Sequence, residues 1–394
     1  MSKLQELIQK LCPNGVEYKK LGDKQVSIMQ RGTSLTKNNS TEGTYPVISG
    51  GRVPAFYCDK FNREGETITV AGSGAGAGYV QYWNEPIFVC DAFSIKGCED
   101  VSTKYLYYYL TNLQDKIYAT KKGGGVPHVH ISSIENFLIP IPHPDIQEEI
   151  VRILDNFTNL AAELQAELQA RQEQYEYYRD KLLSFNNIDG GGYTTVTWMK
   201  MSEIGTFIRG NGLQKKDFTE SGVPCIHYGQ IYTHYGTFAF HTKSFVNEET
   251  AKKCKKAHTG DLVFATVSEN VDDVCKCVAW LGDEEICISG DSLAFCHNQN
   301  PKYLAYYFQT AVFTDYKRSK VTGTKVIRLH QSKLEQFIVP VPSLIEQEHI
   351  VSILDKFETL VKDFTEGLPA EIATVQEQYE YYRDKLLTFK RKEA

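Results

Sequence analysis

QEQYEYYRDKLL runs from Gln172 to Leu183 and returns, unchanged, from Gln376 to Leu387. A string of bulky and charged residues does not recur in this way by chance, and repetition within a chain fixes its architecture before other features do. The likeness extends upstream. FLIPIPHPDIQEEIVRILDNFTNL, from Phe137 to Leu160, is echoed by FIVPVPSLIEQEHIVSILDKFETL, from Phe337 to Leu360. The copies lie 200 residues apart at Phe137 and Phe337 and 204 apart at Gln172 and Gln376, so the second carries four extra residues, near Phe364 to Gly367.

Each copy reads as one long helix. Ile146, Ile150, Ile153, Phe157, Leu160 and Leu164 alternate in steps of four and three, an apolar seam at heptad spacing. Leu168, Tyr175, Tyr178 and Leu182 extend it with one slip of register. Pro144 suits a first helical turn, where its missing N–H costs nothing. Ser343 and Glu346 have the spacing of a capping box. About 40 helical residues at ~1.5 Å each span about 60 Å, far beyond an ordinary surface helix. Gly367 and Pro369 predict a kink or short break in the second copy. Two unrelated amphipathic helices, each covering its own core, are one reading. The other is an antiparallel pair, because identical segments in tandem need equivalent partners.

The length of 394 residues suggests two or three domains. No apolar run approaches ~18 residues, so no membrane span is predicted. The opening MSKLQELIQKLCPNG lacks the apolar core of a secretory signal and reads as a short amphipathic helix ended by Pro13, Asn14 and Gly15. Ten scattered cysteines without a C-x-x-C read as reduced thiols of a cytoplasmic protein, with no metal site. The net charge of −6 is unevenly placed. Asp145 to Leu183 carries nine acidic and four basic residues, and Leu344 to Leu387 ten and four, which leaves +5 on the rest of the chain. Local basic patches on the globular parts are compatible with nucleic acid.

Short β-branched runs at Tyr45 to Ile48, Thr67 to Val70, Tyr79 to Trp83 and Ile87 to Cys90 predict strands. A tyrosine-rich helix from Thr103 to about Lys121, a loop KKGGGVPHVH and a strand Phe137 to Ile141 follow. Phe185 to Thr195, FNNIDGGGYTT, has linker composition. The second part retraces the first: KYLYYYLTNLQDKIY from Lys104 matches KYLAYYFQTAVFTDY from Lys302. The N-terminus resembles what precedes the second part, which would bring the chain ends together. The resulting division is 1–142, a first globular domain with a short N-terminal helix; 143–187, the first long helix; 188–342, a second globular domain; and 343–394, the second long helix.

The glycines Gly72, Gly74, Gly76 and Gly78 do not form G-x-G-x-x-G, and no G-x-x-x-x-G-K-[ST] occurs. They read as a hairpin. The loop from Lys121 to His128 is basic and rich in small residues, and its counterpart is read as Lys317 to Arg328. Such side chains can neutralise phosphates, and arginine can grip a guanine edge. Lys252, Lys253, Lys255 and Lys256 read as a solvated helix face, and the tyrosine helices as core. No catalytic constellation can be singled out, and neither N-P-P-Y nor D-P-P-Y is present.

A globular unit, P-x-P into a Q-E-x-I-V-x-I-L-D helix, Q-Y-x-Y-Y-R-D-K-L-L, then the whole again: this order resembles the specificity (S) subunit of Type I restriction-modification systems. The resemblance implies an α+β fold in which two mixed α/β target-recognition domains are separated by an antiparallel coiled coil of two long helices, a pseudo-two-fold internal repeat. It implies a DNA-binding, non-catalytic subunit in which each domain reads one half of a bipartite double-stranded DNA target. The helices would set the spacing and dock two methyltransferase (M) subunits, and endonuclease/translocase (R) subunits would join. This chain would bind no cofactor; S-adenosylmethionine, ATP and Mg would sit on the partners. Candidate DNA contacts are Arg52, Ser73, Lys121, Lys122, Gly123 and His128 in the first domain. In the second they are Lys215, Lys216, Arg318, Lys320, Thr322, Lys325 and Arg328. Coiled-coil and docking candidates are Ile150, Leu154, Phe157, Tyr175, Tyr178 and Leu182, with Ile350, Leu354, Phe357, Tyr379, Tyr382 and Leu386 in the second copy. A coiled-coil adaptor whose domains bind protein is the competing reading, and net acidity favours it.

Overall fold

The computed structural model of the chain describes residues 3–123, 125–185 and 196–392, with residues 361–366 as helical backbone alone. Most of the predicted linker, and the boundary placed at 187/188, lie outside the described residues. The chain forms two compact units: Met1–Ala166 with Leu368–Ala394, and Glu167–Gly367. Each unit therefore holds the first part of one long helix and the last part of the other.

In the first unit, Ser27–Arg31, Ala92–Gly97, Thr67–Ala71 and Val80–Trp83 form a four-stranded sheet in that order. Phe56–Cys58, Tyr45–Ile48 and Phe88–Val89 form a smaller one. The helix Thr103–Asn112 lies against the larger sheet, its N-terminus capped by Ser102, and Leu113 separates it from a second short helix, Gln114–Tyr118. In the second unit, one five-stranded sheet runs Gly205–Arg209, Ser292–His297, Leu262–Ala265, Cys277–Trp280, Phe238–Ala239. The other runs Phe218–Thr219, Ser244–Val246, Val223–Ile226, Ile286–Ile288, Lys255–Ala257. The helices Pro301–Tyr307 and Ala311–Lys320 complete it.

The long helices span Pro144–Leu183 and Leu344–Leu386. The second is unbroken through Pro369, so the predicted break does not occur. A proline there removes one backbone donor, a loss that neighbouring turns of so long a helix can absorb. In the first unit Phe157 stacks on Tyr382 at 5.5 Å, while Ile150 and Leu154 share a cluster with Leu386 and Leu387. In the second, Tyr178 stacks on Phe357 at 5.9 Å, while Ile350 and Leu354 share a cluster with Leu182 and Leu183. Numbers rise along one helix as they fall along the other, so within each unit the packing is antiparallel.

The same polar contacts clamp each head to the start of its long helix. The Tyr105 and Tyr303 hydroxyls donate to the carbonyls of Pro140 and Pro340, at 2.9 and 2.8 Å. Lys104 and Tyr108 converge on Asp155, as Lys302 and Tyr306 do on Asp355. Buried Gln147 accepts from the Ser102 amide and Gln347 from that of Asn300, each at 2.9 Å. The tyrosines are core, as their pattern predicts: Tyr105, Tyr108, Tyr303 and Tyr306 are buried. The chain ends do meet. Val16 donates to the Lys390 carbonyl and accepts from the Lys392 amide, both at 2.9 Å. The lysine run does not form a helix face. Lys252 and Lys253 follow a single-turn helix, Glu248–Ala251, and Lys255 and Lys256 lie in a strand.

Glu149, on the buried side of the first long helix, receives Arg152 Nη2 at 2.7 Å and Lys3 Nζ at 2.8 Å. The Arg152 hydrogen bond, aided by Lys3 and opposed by burial, holds this carboxyl at about 2 rather than the ordinary 4.5. A lowered folded-state value gives stability that is present above about pH 4.5 and drains away as pH falls toward 2. Glu149→Gln should therefore melt below the native chain at about pH 5, with the gap narrowing as pH falls below about 4.5 and closing only as pH passes below about 2. A gap that stays constant over that range contradicts the linkage.

Candidate nucleic-acid interface

In both units a loop after the tyrosine helices is closed at its base by a pair of backbone hydrogen bonds. Lys122 and His128 exchange backbone hydrogen bonds at 3.0 and 2.8 Å; Thr322 and Arg328 do so at 3.0 and 2.9 Å. Gly123 and Gly323 turn the chain at φ +111° and +99°, with the carbonyls of Val126 and Val326 where a Cβ would need room. A side chain would be strained at either glycine. The matched turns correct the register read from the sequence. The counterpart stretch read as Lys317 to Arg328 starts too early: Val321 stands where Lys121 does. Lys317 to Lys320 close the helix Ala311–Lys320 and belong to no loop.

Each turn is pinned to the neighbouring sheet. Val129 donates to the Gly72 carbonyl and Gly74 to that of Pro127, both at 3.0 Å, and Ser73 bridges to His128. Val267–Ser268 pairs with Ile327–Arg328 in the second unit. The glycine-rich stretch after Ala71 is thus a hairpin tied to the basic loop. Gly50 and Gly76 let a further loop approach, since a Cβ at Gly76 would lie 2.5 Å from the Gly50 carbonyl oxygen. That loop carries Arg52, whose guanidinium sits 5.1 Å from the Tyr79 ring centre.

Beside each turn lies an open cleft with an aspartate in it. In the first unit Arg31, Gly72, Asp91, His128 and His130 line it, and the Ser73 hydroxyl donates to Asp91. In the second Gly212, Lys215, His227, Gly290 and Asp291 line it, and Arg328 Nη1 reaches Asp291 at 3.2 Å. Arg209 donates to the Gly290 carbonyl at 3.4 Å. Asp91 and Asp291, like His128 and Arg328, are 200 residues apart. His227 is held below the ordinary histidine value by burial and then by Lys215, with Asp291 opposing. Its Nδ1 accepts from Gly229 at 3.1 Å, which puts the proton of the neutral ring on Nε2, a donor.

The structure gathers Lys122, Gly123 and His128 on one loop and Ser73 on the hairpin bridged to it, with Lys121 at the loop's root over the Tyr118 ring at 4.1 Å. Lys215 and Arg328 come together through Asp291, with Lys216 exposed on the same turn as Lys215. Thr322 and exposed Lys325 share the Arg328 turn. Arg318 departs from expectation: it lies on the helix and is engaged by Asp272 at 3.0 Å and Asp315 at 3.6 Å. Lys320 is on the same helix, with Nζ 6.0 Å from the Tyr316 ring centre. Arg31, Asp91, His130, Arg209, His227 and Asp291 were not singled out. The acidic residue opening the strand at 91 and again at 291 was the signal that could have found them.

The helix candidates divide. Ile150, Leu154, Ile350 and Leu354 are buried in the cores of the heads, so they hold each unit together and present nothing to a partner. Leu182 and Leu386 are partly buried beside them. Tyr175 is half-buried, its hydroxyl pushed up by burial and by Glu358, and Tyr379 lies 6.4 Å from Tyr108. Phe157 and Phe357 form the two stacks. What remains outward is the aromatic part of the repeated motif: Tyr177, Tyr178, Tyr381 and Tyr382 are exposed, with Lys181 over Tyr177 at 5.9 Å and Lys385 over Tyr381 at 5.5 Å.

A duplicated chain with one polar, aspartate-bearing cleft beside a basic loop in each head defines a two-headed recognition protein. The family described as Type I restriction modification DNA specificity domain matches residues 13–173 and 194–374. The chain belongs to that family, and its role is DNA sequence recognition by two target-recognition domains rather than catalysis. It is 35% identical over 316 residues to the Type I restriction enzyme EcoR124I/EcoR124II specificity subunit of Escherichia coli, covering 76% of this chain and 74% of that one. A putative type I specificity subunit of Haemophilus influenzae is 27% identical over 95% of this chain and 96% of its own. The crystal structure of the type I S subunit from M. genitalium has the same fold, with a TM-score of 0.56 at 18% identity over 95% of this chain and 96% of that chain. Among the described residues no helix is long and apolar enough to cross a membrane.

Proposed function

We propose that each unit reads one half of a split double-stranded DNA target through its paired loop and aspartate cleft. The supporting observation is that the same cleft recurs in both heads with different cations. Arg31, His128 and His130 line the first, with Lys121 and Lys122 on the adjoining loop; Lys215 and His227 line the second, with Arg328 reaching its Asp291 and Lys325 on the adjoining turn. Equal frames with unequal side chains suit a target whose halves differ. Lysines would track phosphates, which position but do not specify. Arg328, steadied by Asp291, would offer its fork to a guanine edge. The long helices would set half-site spacing. The outward tyrosines and lysines of the repeated motif would dock two methyltransferase subunits, with endonuclease subunits joining in the cytoplasm. S-adenosylmethionine, ATP and Mg would be carried by those partners.

The test is gel-shift binding of the chain co-expressed with its modification subunit. Lys121→Ala with Lys122→Ala should weaken binding on all sequences and flatten the log–log salt slope by about 1.8, at ~0.9 per phosphate contact. Arg328→Ala should relax one base position by about 1–3 kcal/mol while leaving other positions intact. An unchanged slope removes the lysines from the interface. A complex that shifts no DNA at all favours the protein-binding adaptor.

A further inference from the structure

His258, Asp261 and Cys296 meet in the second unit, away from its cleft. Leu262–Ala265 and Ser292–His297 run antiparallel, with Leu262 opposite Phe295 and Ala265 opposite Ser292. The cleft adjoins the Ala265 end through Asp291. Asp261 and Cys296 lie at the other end, about 13 Å along the strand at ~3.3 Å per residue. The Cys296 thiol is 3.2 Å from Asp261 Oδ2, and His258 Nδ1 is 3.5 Å from that same oxygen. The three donor atoms all lie within 4.8 Å of one another.

The two separations to Asp261 Oδ2 are those a small cation imposes, and the third pair needs only a small side-chain adjustment to close on one. Tetrahedral zinc with bonds of ~2.0–2.3 Å holds its ligands about 3.3–3.5 Å apart. The imidazole is also oriented from behind. His258 Nε2 is 3.0 Å from Glu285 Oε1, and Lys256 holds the other Glu285 oxygen at 2.9 Å. With its proton donated to Glu285, the ring keeps a lone pair on Nδ1, the atom aimed at Asp261. A carboxylate behind a histidine is the usual support for a metal-bound imidazole. Asp261 itself is buried and further fixed by the His258 amide at 2.8 Å.

We propose that His258 Nδ1, Asp261 Oδ2 and Cys296 Sγ bind a zinc-type divalent cation, with solvent as the fourth ligand. Sulfur, nitrogen and oxygen donors together suit Zn2+ or Co2+ and not Mg2+ or Ca2+. On binding, Cys296 loses its proton to solvent and forms one metal–sulfur bond. The ion fastens the turn at His258, which leads from the strand Lys255–Ala257 of one sheet into Leu262–Ala265 of the other. The role is structural. The first head is a built-in control: 200 residues before Cys296 stands Lys96, and Thr67 takes the place of Asp261.

The experiment is titration of the purified, chelator-treated full chain with Zn2+, and with Co2+ for its spectrum. One equivalent per chain should bind, Co2+ should show a thiolate charge-transfer band, and Zn2+ should raise the melting temperature. Cys296→Ser should abolish the band. His258→Ala, at a largely exposed ring, should weaken binding at least tenfold. Glu285→Gln should weaken it about tenfold, as loss of an outer-sphere partner does. No bound equivalent, or binding that both Cys296→Ser and His258→Ala leave intact, overturns the proposal. Neither outcome bears on DNA reading.

Discussion

Seven residues of matching heptad pattern inserted after Ala166, and seven more after Gly367, are expected to move the two halves of the methylated sequence apart by about three base pairs. Each insertion lengthens its helix by about 10.5 Å at ~1.5 Å per residue, and the rise of DNA is ~3.4 Å per base pair. A full heptad is chosen because it nearly restores the helix face, with a drift of only ~20°. The insertion points fall where the compact units divide, so every contact within a unit is left in place. The Phe157–Tyr382 and Tyr178–Phe357 stacks are among those retained. Insertion into one helix alone would offset the paired seams and should reduce methylation. Methylome sequencing of a host carrying the doubly lengthened chain reads the spacing directly. Methylation at the original spacing would dismiss the helices as the separator.

The largest stability effect is expected at Tyr303. Its ring is fully buried and its hydroxyl donates to the Pro340 carbonyl at 2.8 Å. Tyr303→Ala removes a large side chain from the centre of the second head and orphans that carbonyl. Such deletions cost about 3–5 kcal/mol, a large part of the ~5–15 kcal/mol by which domains are stable. Tyr303→Phe removes only the hydrogen bond and should cost about 1–3 kcal/mol. Urea unfolding followed by a probe in each head distinguishes the sites, and Tyr105→Ala should act in the same way on the first head. Equal losses for the alanine and phenylalanine variants would show that the hydroxyl, not the ring, carries the contribution.

Much of this architecture is visible in the residue pattern because the repeat is so exact. The long helices, the strands at Tyr45, Thr67 and Val80, and the buried tyrosines all follow from periodicity. Strands such as Glu17–Lys20 and Ser27–Arg31 are hidden because their residues are largely polar or exposed and alternate weakly. The counterpart loop was read as starting too early, at Lys317, because the basic end of the helix Ala311–Lys320 resembles Lys121 and Lys122 in composition. Leu344–Leu386 overrides the breaking tendency of Pro369 because one lost hydrogen bond is small against a helix held at both ends by packing. Asp291 and the His258, Asp261 and Cys296 group were illegible for a plainer reason. Their partners are distant in sequence, and only strand register brings them together.

The first unit is assembled from two separated stretches, Met1–Ala166 and Leu368–Ala394, whereas Glu167–Gly367 is one continuous piece. A ribosome therefore releases everything the second head needs while the first still lacks its last helix turns. Until Leu387 emerges, the apolar cluster of Leu4, Tyr105, Tyr108, Ile146, Ile150 and Leu154 lacks the side chains of Tyr379, Leu386 and Leu387 that complete it. The head that is synthesised first is thus the one completed last.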